Sequence, residues 1–350
     1  MQEVEVRLPD GKREKAIHYL AWQEKVKKHD RVLLNTTAGS LSLGSGGYHF
    51  VIIGLEKEGN WHTKKQDSFS GHIMKMRYTP LQFAIQSAEE EASPYHDVFQ
   101  QINDHVLMKT PVLIGELHSM LPGICYSLSY LSEKEGRDPL RVVYIMTDSG
   151  ALPLSFSKNV EQLKKEHLLT HTITIGHAFG GDLECVNIFS ALHAAVTICQ
   201  ADVIVVAPGP GVVGTGTALG FSGMEQVSLL QSVTLLGGKP IFIPRVSFND
   251  KRERHKGISN HSLTVLHFSW QTPLVLNMVN DPILIQQLQG QSPYHEMILY
   301  TKEDANWRGF QQEKWPLLQT MGRSFQDDPY YFLHIFYSAF FAHKEFIKFL

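Results

Sequence analysis

The sequence predicts an α/β protein with a mainly parallel, doubly wound sheet, preceded by a small β-barrel-like domain at the N-terminus. Two observations carry this. From Pro111 onward, apolar β-branched runs alternate with helix-compatible stretches of about four turns, a spacing that implies right-handed crossovers between parallel strands. Ahead of that, short alternating segments follow one another through turn signals with no helix between them, as in small barrels and sandwiches.

The elements follow in order. Residues 4–8 (Val-Glu-Val-Arg-Leu) alternate with period two, and Pro9-Asp10-Gly11-Lys12 marks a turn. Residues 16–20, 31–35 and 49–55 are further strand candidates, with the glycine- and serine-rich stretch 39–47 as a flexible connection. The chain begins directly on a strand, so a first strand of the barrel is expected to be missing. Residues 1–100 are assigned to this antiparallel β domain and 108–350 to the α/β domain, the boundary falling between Pro94 and Pro111. In the second domain, strands are expected at 112–117, 141–146, 171–175, 203–206, 240–244, 273–279 and 297–300. Helices are expected at 121–135, 156–168, 184–200, 218–236, 261–268 and 283–289. The aromatic run 330–341 ends at charged residues after about a dozen positions, too short to span a bilayer. It reads as a buried terminal helix or one at a dimer interface.

Composition narrows the classes of function. At 350 residues, 43% hydrophobic and 19% charged, the chain is an ordinary globular protein with a substantial core. A net charge of -3 recommends neither nucleic acid nor an anionic membrane as partner. Cys125, Cys185 and Cys199 have no CxxC spacing, which argues against a disulfide framework or zinc knuckle and for a reducing cytoplasm. The N-terminus lacks the basic and apolar regions of a secretory signal.

The stretch richest in functional signal is 201–220. A buried-strand pattern at 203–206 breaks into a loop carrying Gly209, Gly211, Gly214 and Gly216, with helix-compatible sequence from about Thr217. A strand ending in a glycine-rich turn before a helix brings backbone N–H groups close to an anion. Gly209-x-Gly211-x-x-Gly214 matches the dinucleotide fingerprint in form, but it follows the fourth strand of its sheet and no acidic residue ends the next strand. That favours another phosphate, nucleotide or carboxylate cradle, or a loop whose glycines only permit close packing. Thr215 and Thr217 offer hydroxyl donors, or cap the helix.

In an open α/β sheet ligands sit outside the carboxyl ends of the strands, so the residues after each strand matter most. These are Glu116 and His118, then Asp148, then His177 and Asp182, then the glycine loop, then Arg245 and the run Lys251, Arg252, Arg254, His255 and Lys256. Arginine forks suit a phosphate or carboxylate, which makes Arg245, Arg252, Arg254 and His255 candidate ligand contacts. Asp148, His177 and Asp182 are candidate acid–base residues, with capping or hydrogen bonding as the ordinary alternative. No HExxH, DxDxDG or GxSxG pattern occurs, so no metal ligand is assigned. Cys185 falls where an apolar helix is expected to start and reads as buried. His261 sits at the start of the helix expected after the arginine loop. The basic and aromatic stretch 71–80, with Lys75 and Arg77, is the one feature that would suit RNA, though packing of the β domain against the α/β domain is the expected role.

Residues 31–38, 46–51, 71–82, 208–216 and 252–262 together resemble a bacterial protein family of unknown function. The likeness covers essentially the whole chain. It implies a bacterial, cytoplasmic setting and no particular activity or cofactor. The sequence therefore supports binding of, or catalysis on, a small phosphorylated or nucleotide-like metabolite by a homo-oligomeric protein. A regulatory or RNA-associated protein using its β domain is the alternative.

Overall fold

The computed structural model describes residues 1–21, 23–40, 47–55, 71–108, 110–150, 152–290, 292–302, 304–314 and 318–348. Most of the stretch expected to be a flexible connection, residues 41–46, lies outside them. The chain forms two compact units, Met1–Gln86 and Ser87–Leu350. The division lies ahead of the Pro94–Pro111 stretch. Residues just after it are bound to the second unit: the Ala88 amide donates to the Glu184 carbonyl at 2.8 Å, and the Leu107 amide to the Leu236 carbonyl at 3.1 Å.

The first unit holds β1 (Gln2–Arg7), β2 (Arg13–His18), β3 (Arg31–Asn35), α1 (Thr37–Ser40), β4 (His49–Leu55), β5 (Ile73–Lys75) and β6 (Phe83–Ile85). Four of its strands form a sheet in the order β1-β2-β4-β3, and β5 pairs with β6. The sheet is mixed, because β2 and β4 run parallel while β1–β2 and β3–β4 are antiparallel. Among the described residues these strands form small sheets and no closed barrel. Alternate residues of β1 point inward, so Val6 packs with Ala16 and Val51, while its charged neighbours face out.

The second unit is built on eight strands: β7 (Val112–Gly115), β8 (Val142–Thr147), β9 (His171–Ile175), β10 (Leu183–Cys185), β11 (Val203–Pro208), β12 (Pro240–Ile243), β15 (Leu274–Val279) and β16 (His295–Tyr300). The short pair β13 (Val246–Ser247) and β14 (Gly257–Ile258) brackets the arginine loop. All eight strands of the main sheet are parallel, in the order β10-β9-β8-β11-β7-β12-β15-β16. Both faces are covered, which is why the central strands read as unbroken apolar runs. Val203 and Val205 face one core while Ile204 and Val206 face the other.

Helices α2 (Met120–Lys134), α3 (Lys158–Lys165), α8 (Ala305–Lys314) and α9 (Pro329–Ile347) lie on the first face. Helices α4 (Ile188–Thr197), α5 (Glu225–Leu235), α6 (Asn260–Phe268) and α7 (Pro282–Gln287) lie on the second. Strand β10 was not foreseen: it interrupts the helix expected at 184–200 and holds the buried Cys185. The aromatic C-terminal run is α9, entered at Asp328-Pro329 and buried all along from Tyr331 to His343. A helix apolar on every side needs a buried environment, and here the main sheet and α2 supply it. No helix among the described residues is long and apolar enough to cross a membrane.

Candidate functional site

The strand order fixes where a ligand can sit. From β7 the chain crosses over β11 to reach β8, on the face of α2; from β12 it departs the opposite way to β15, on the face of α6. The connections diverge between neighbouring strands β7 and β12, opening a crevice at their carboxyl ends. Glu116 follows β7 there, and Arg245 follows β12. The loop after β11 and the start of α6 close the crevice from either side, leaving a polar cavity of about 230 Å³.

Helix α6 positions much of this site. Ser259 is its N-cap, its hydroxyl accepting from the His261 amide at 3.2 Å and bonding His255 Nδ1 at 2.7 Å. His261 then stacks on Phe221, ring centroids 3.9 Å apart, and meets the edge of His255 at 4.9 Å. Its Nδ1 lies 3.7 Å from Glu116 Oε1, an ion-pair separation just beyond hydrogen-bond reach. Ser262 donates to Glu116 Oε2 at 2.6 Å and accepts from the Arg245 amide at 2.9 Å, tying the ends of β7 and β12 to the helix.

The arginine loop is organised by one carboxylate. Asp250, buried, accepts from Arg245 Nη2 at 2.6 Å and from Arg252 Nε and Nη2 at 3.0 Å, with Arg323 3.6 Å away. Burial by itself would raise this carboxyl. The hydrogen bonds from Arg252 and the charges of Arg245 and Arg252 override it and hold Asp250 well below the usual carboxylate range. The same surroundings push His255 down to about 4, first by burial and then by the charges of Arg245, Arg252 and His261. Arg245 is buried, lines the cavity, and has no hydrogen-bond partner for its Nε among the described residues. Arg254 is exposed on the cavity wall, and its side chain makes no ion pair or hydrogen bond among the described residues.

The glycine loop is folded differently from the sequence expectation. Helix α5 begins at Glu225 rather than near Thr217, after a single 3₁₀ turn, so the glycine amides do not cluster at a helix N-terminus. The loop doubles back on itself instead: Gly214 bridges Phe221, and the Thr215 amide donates to the Gly220 carbonyl at 2.8 Å. Thr215 and Thr217 do not cap the helix. Their hydroxyls lie 2.9 Å apart and hold Gly220, where a Cβ would fall on both. Gly216, at φ +81°, lets the turn close over the cavity.

Of the residues singled out from the sequence, the structure gathers Gly214, Gly216, Arg245, Arg252, Arg254 and His255 around the polar cavity, with Thr217 on the wall of an adjoining one. It does not bring Asp148, His177, Asp182, Gly209, Gly211 or Thr215 to either wall. Gly209 packs against Met146 of β8, and Gly211, at φ +104°, faces open space. Asp148 accepts from the His177 amide at 2.8 Å, bracing the turns after β8 and β9. Asp182 accepts from the amide and hydroxyl of Thr172 and pairs with Lys164 at 2.5 Å, near the entry end of β9 rather than the carboxyl edge. Phe221, Met321 and Arg323 were missed, because nothing local marks a residue that joins a site by long-range packing. Among the described residues no group of three or more His, Cys, Asp or Glu could hold a metal ion.

In the first unit, Lys75 is buried and β5 spans only Ile73–Lys75, so the basic stretch forms no continuous exposed strand there.

Fold and crevice together define a doubly wound α/β protein with an arginine-lined pocket at the switch point of a parallel sheet. Residues 15–339 match the model of a family described as "protein of unknown function (DUF3866)", and the chain belongs to that family. No curated protein and no solved structure matches it.

Proposed function

We propose that the chain binds a small anionic metabolite, carrying a phosphate or carboxylate, in the crevice between the glycine loop and the arginine loop. The observation behind this is the cationic wall of the polar cavity. Asp250 neutralises part of it, but Arg254 is left without a counter-charge and Arg245 Nε without a partner. Each is a donor suited to an anion's oxygens, and charge-assisted bonds of this kind outweigh neutral ones. Glu116 and His261, 3.7 Å apart on the same cavity, are the acid–base pair of this reading in place of Asp148 and His177.

Calorimetric titration with inorganic phosphate, phosphorylated metabolites and carboxylates tests it. Arg254→Ala should weaken the bound anion by about tenfold or more, the loss expected of one charge-assisted hydrogen bond, with an unchanged melting temperature. If no anion of the panel binds, or if Arg254→Ala binds as tightly as the parent, the proposal is wrong.

A further inference from the structure

The polar cavity does not end at its arginines. A second cavity of about 580 Å³ adjoins it, and the two share Gly216, Arg254 and His261 as walls. The chemistry changes from one to the other. The first mixes Glu116 and three arginines with a few apolar side chains; the second is mostly apolar, faced by Ala218, Leu219, Leu263 and Phe268, with Leu219 and Phe268 more than half exposed. The polar side chains of the second are partly spent: Thr264 donates to the Asn260 carbonyl at 2.8 Å, and Thr217 holds the glycine turn.

Large apolar side chains left open beside a charged pocket, on one continuous concavity, are how a protein receives a ligand with two ends. Resting on the anion-binding reading of the same crevice, we infer that the ligand is amphiphilic. Its phosphate or carboxylate lies against Arg245, Arg252 and Arg254, and an apolar acyl or aryl body lies over Leu219, Leu263 and Phe268. Arg254 and His261 stand at the junction of the two parts. A free inorganic anion would fill only the smaller cavity and leave the larger one wet. The apolar body therefore carries much of the affinity, and the arginines carry its orientation.

The test compares inorganic phosphate, octyl phosphate and phenyl phosphate by calorimetry on the full chain. At least one of the two organic phosphates should bind about tenfold or more tightly than inorganic phosphate, the gain expected from burying about two methylene groups. Leu219→Asn and Phe268→Ser alter exposed side chains and should leave the melting temperature unchanged. Each should erase much of the organic phosphate's advantage while leaving inorganic phosphate as it was. Arg254→Ala should weaken every probe. The preference for the octyl or the phenyl compound tells an acyl from an aryl body. Equal binding of all three phosphates, or an advantage that survives both apolar variants, overturns the amphiphilic ligand and spares the anion site. Binding of none of the anions overturns both.

Discussion

Asp250 shows how much one buried residue decides in this molecule. Its carboxylate holds the Arg245 and Arg252 guanidinium groups, and Arg323 reaches it at longer range. A buried pair adds little net stability over an apolar one, but breaking it strands the charge that remains. Asp250→Ala should therefore cost about 3–5 kcal/mol of unfolding free energy, read from urea denaturation. A loss under about 1 kcal/mol, in the range of an exposed ion pair, would mean that water or another anion already screens the arginines. The cationic residues of this loop were legible in the sequence, because arginines and lysines declare their charge wherever they fall. That a third arginine, Arg323, would reach the same carboxylate was not, since it lies more than seventy residues from Asp250 in the chain. Glu116 and Ser262 are 146 positions apart and meet only because β7 and β12 are neighbours.

Among the elements, α6 and the glycine loop make the contrast clear. Ser259-Asn260-His261 reads as a helix start, and the helix does start there, because a local cap needs only local residues. Ser259 has a second task in binding His255, so Ser259→Ala removes an N-cap and leaves a buried imidazole nitrogen unpaired. The expected loss is about 1–3 kcal/mol. Urea midpoints check it, and a change of a few tenths would show that the His255 contact carries nothing. The glycine loop went the other way. Its fingerprint suggested a turn into a helix, but a 3₁₀ turn precedes the helix, which begins only at Glu225, and the threonine hydroxyls hold the loop folded back at Gly220. A motif read on its spacing cannot reveal that backbone pairing. Strand β10 was hidden for a related reason: three residues are too few to show a period.

Across the whole molecule, buried histidines set the response to acid. Burial pushes His118 and His334 down to about 4 from an ordinary 6.5, and His255 also to about 4 with help from neighbouring cations. The folded chain holds these rings neutral while the unfolded chain protonates them. Their contribution to stability is thus complete above pH 6.5 and is lost as pH falls from 6.5 to about 4. For a fully buried ring it is on the order of 3 kcal/mol. Urea midpoints should be level between about pH 7 and 8 and fall steadily on acidification. A midpoint unchanged down to pH 5 would contradict neutral, buried rings.

The sequence by itself determined the α/β class, the alternation of strand and helix, the buried C-terminal helix and the cationic loop that borders the crevice. Each of these follows from patterns within some twenty residues, where periodicity and charge act directly. The tertiary structure alone decided the strand order, the open mixed sheet of the first unit and the membership of the crevice. Strand order depends on which distant segments exchange hydrogen bonds, and β7 lies between β11 and β12, strands some ninety and more residues further along the chain. It was this pairing that set Glu116, rather than Asp148 or His177, on the crevice beside His261.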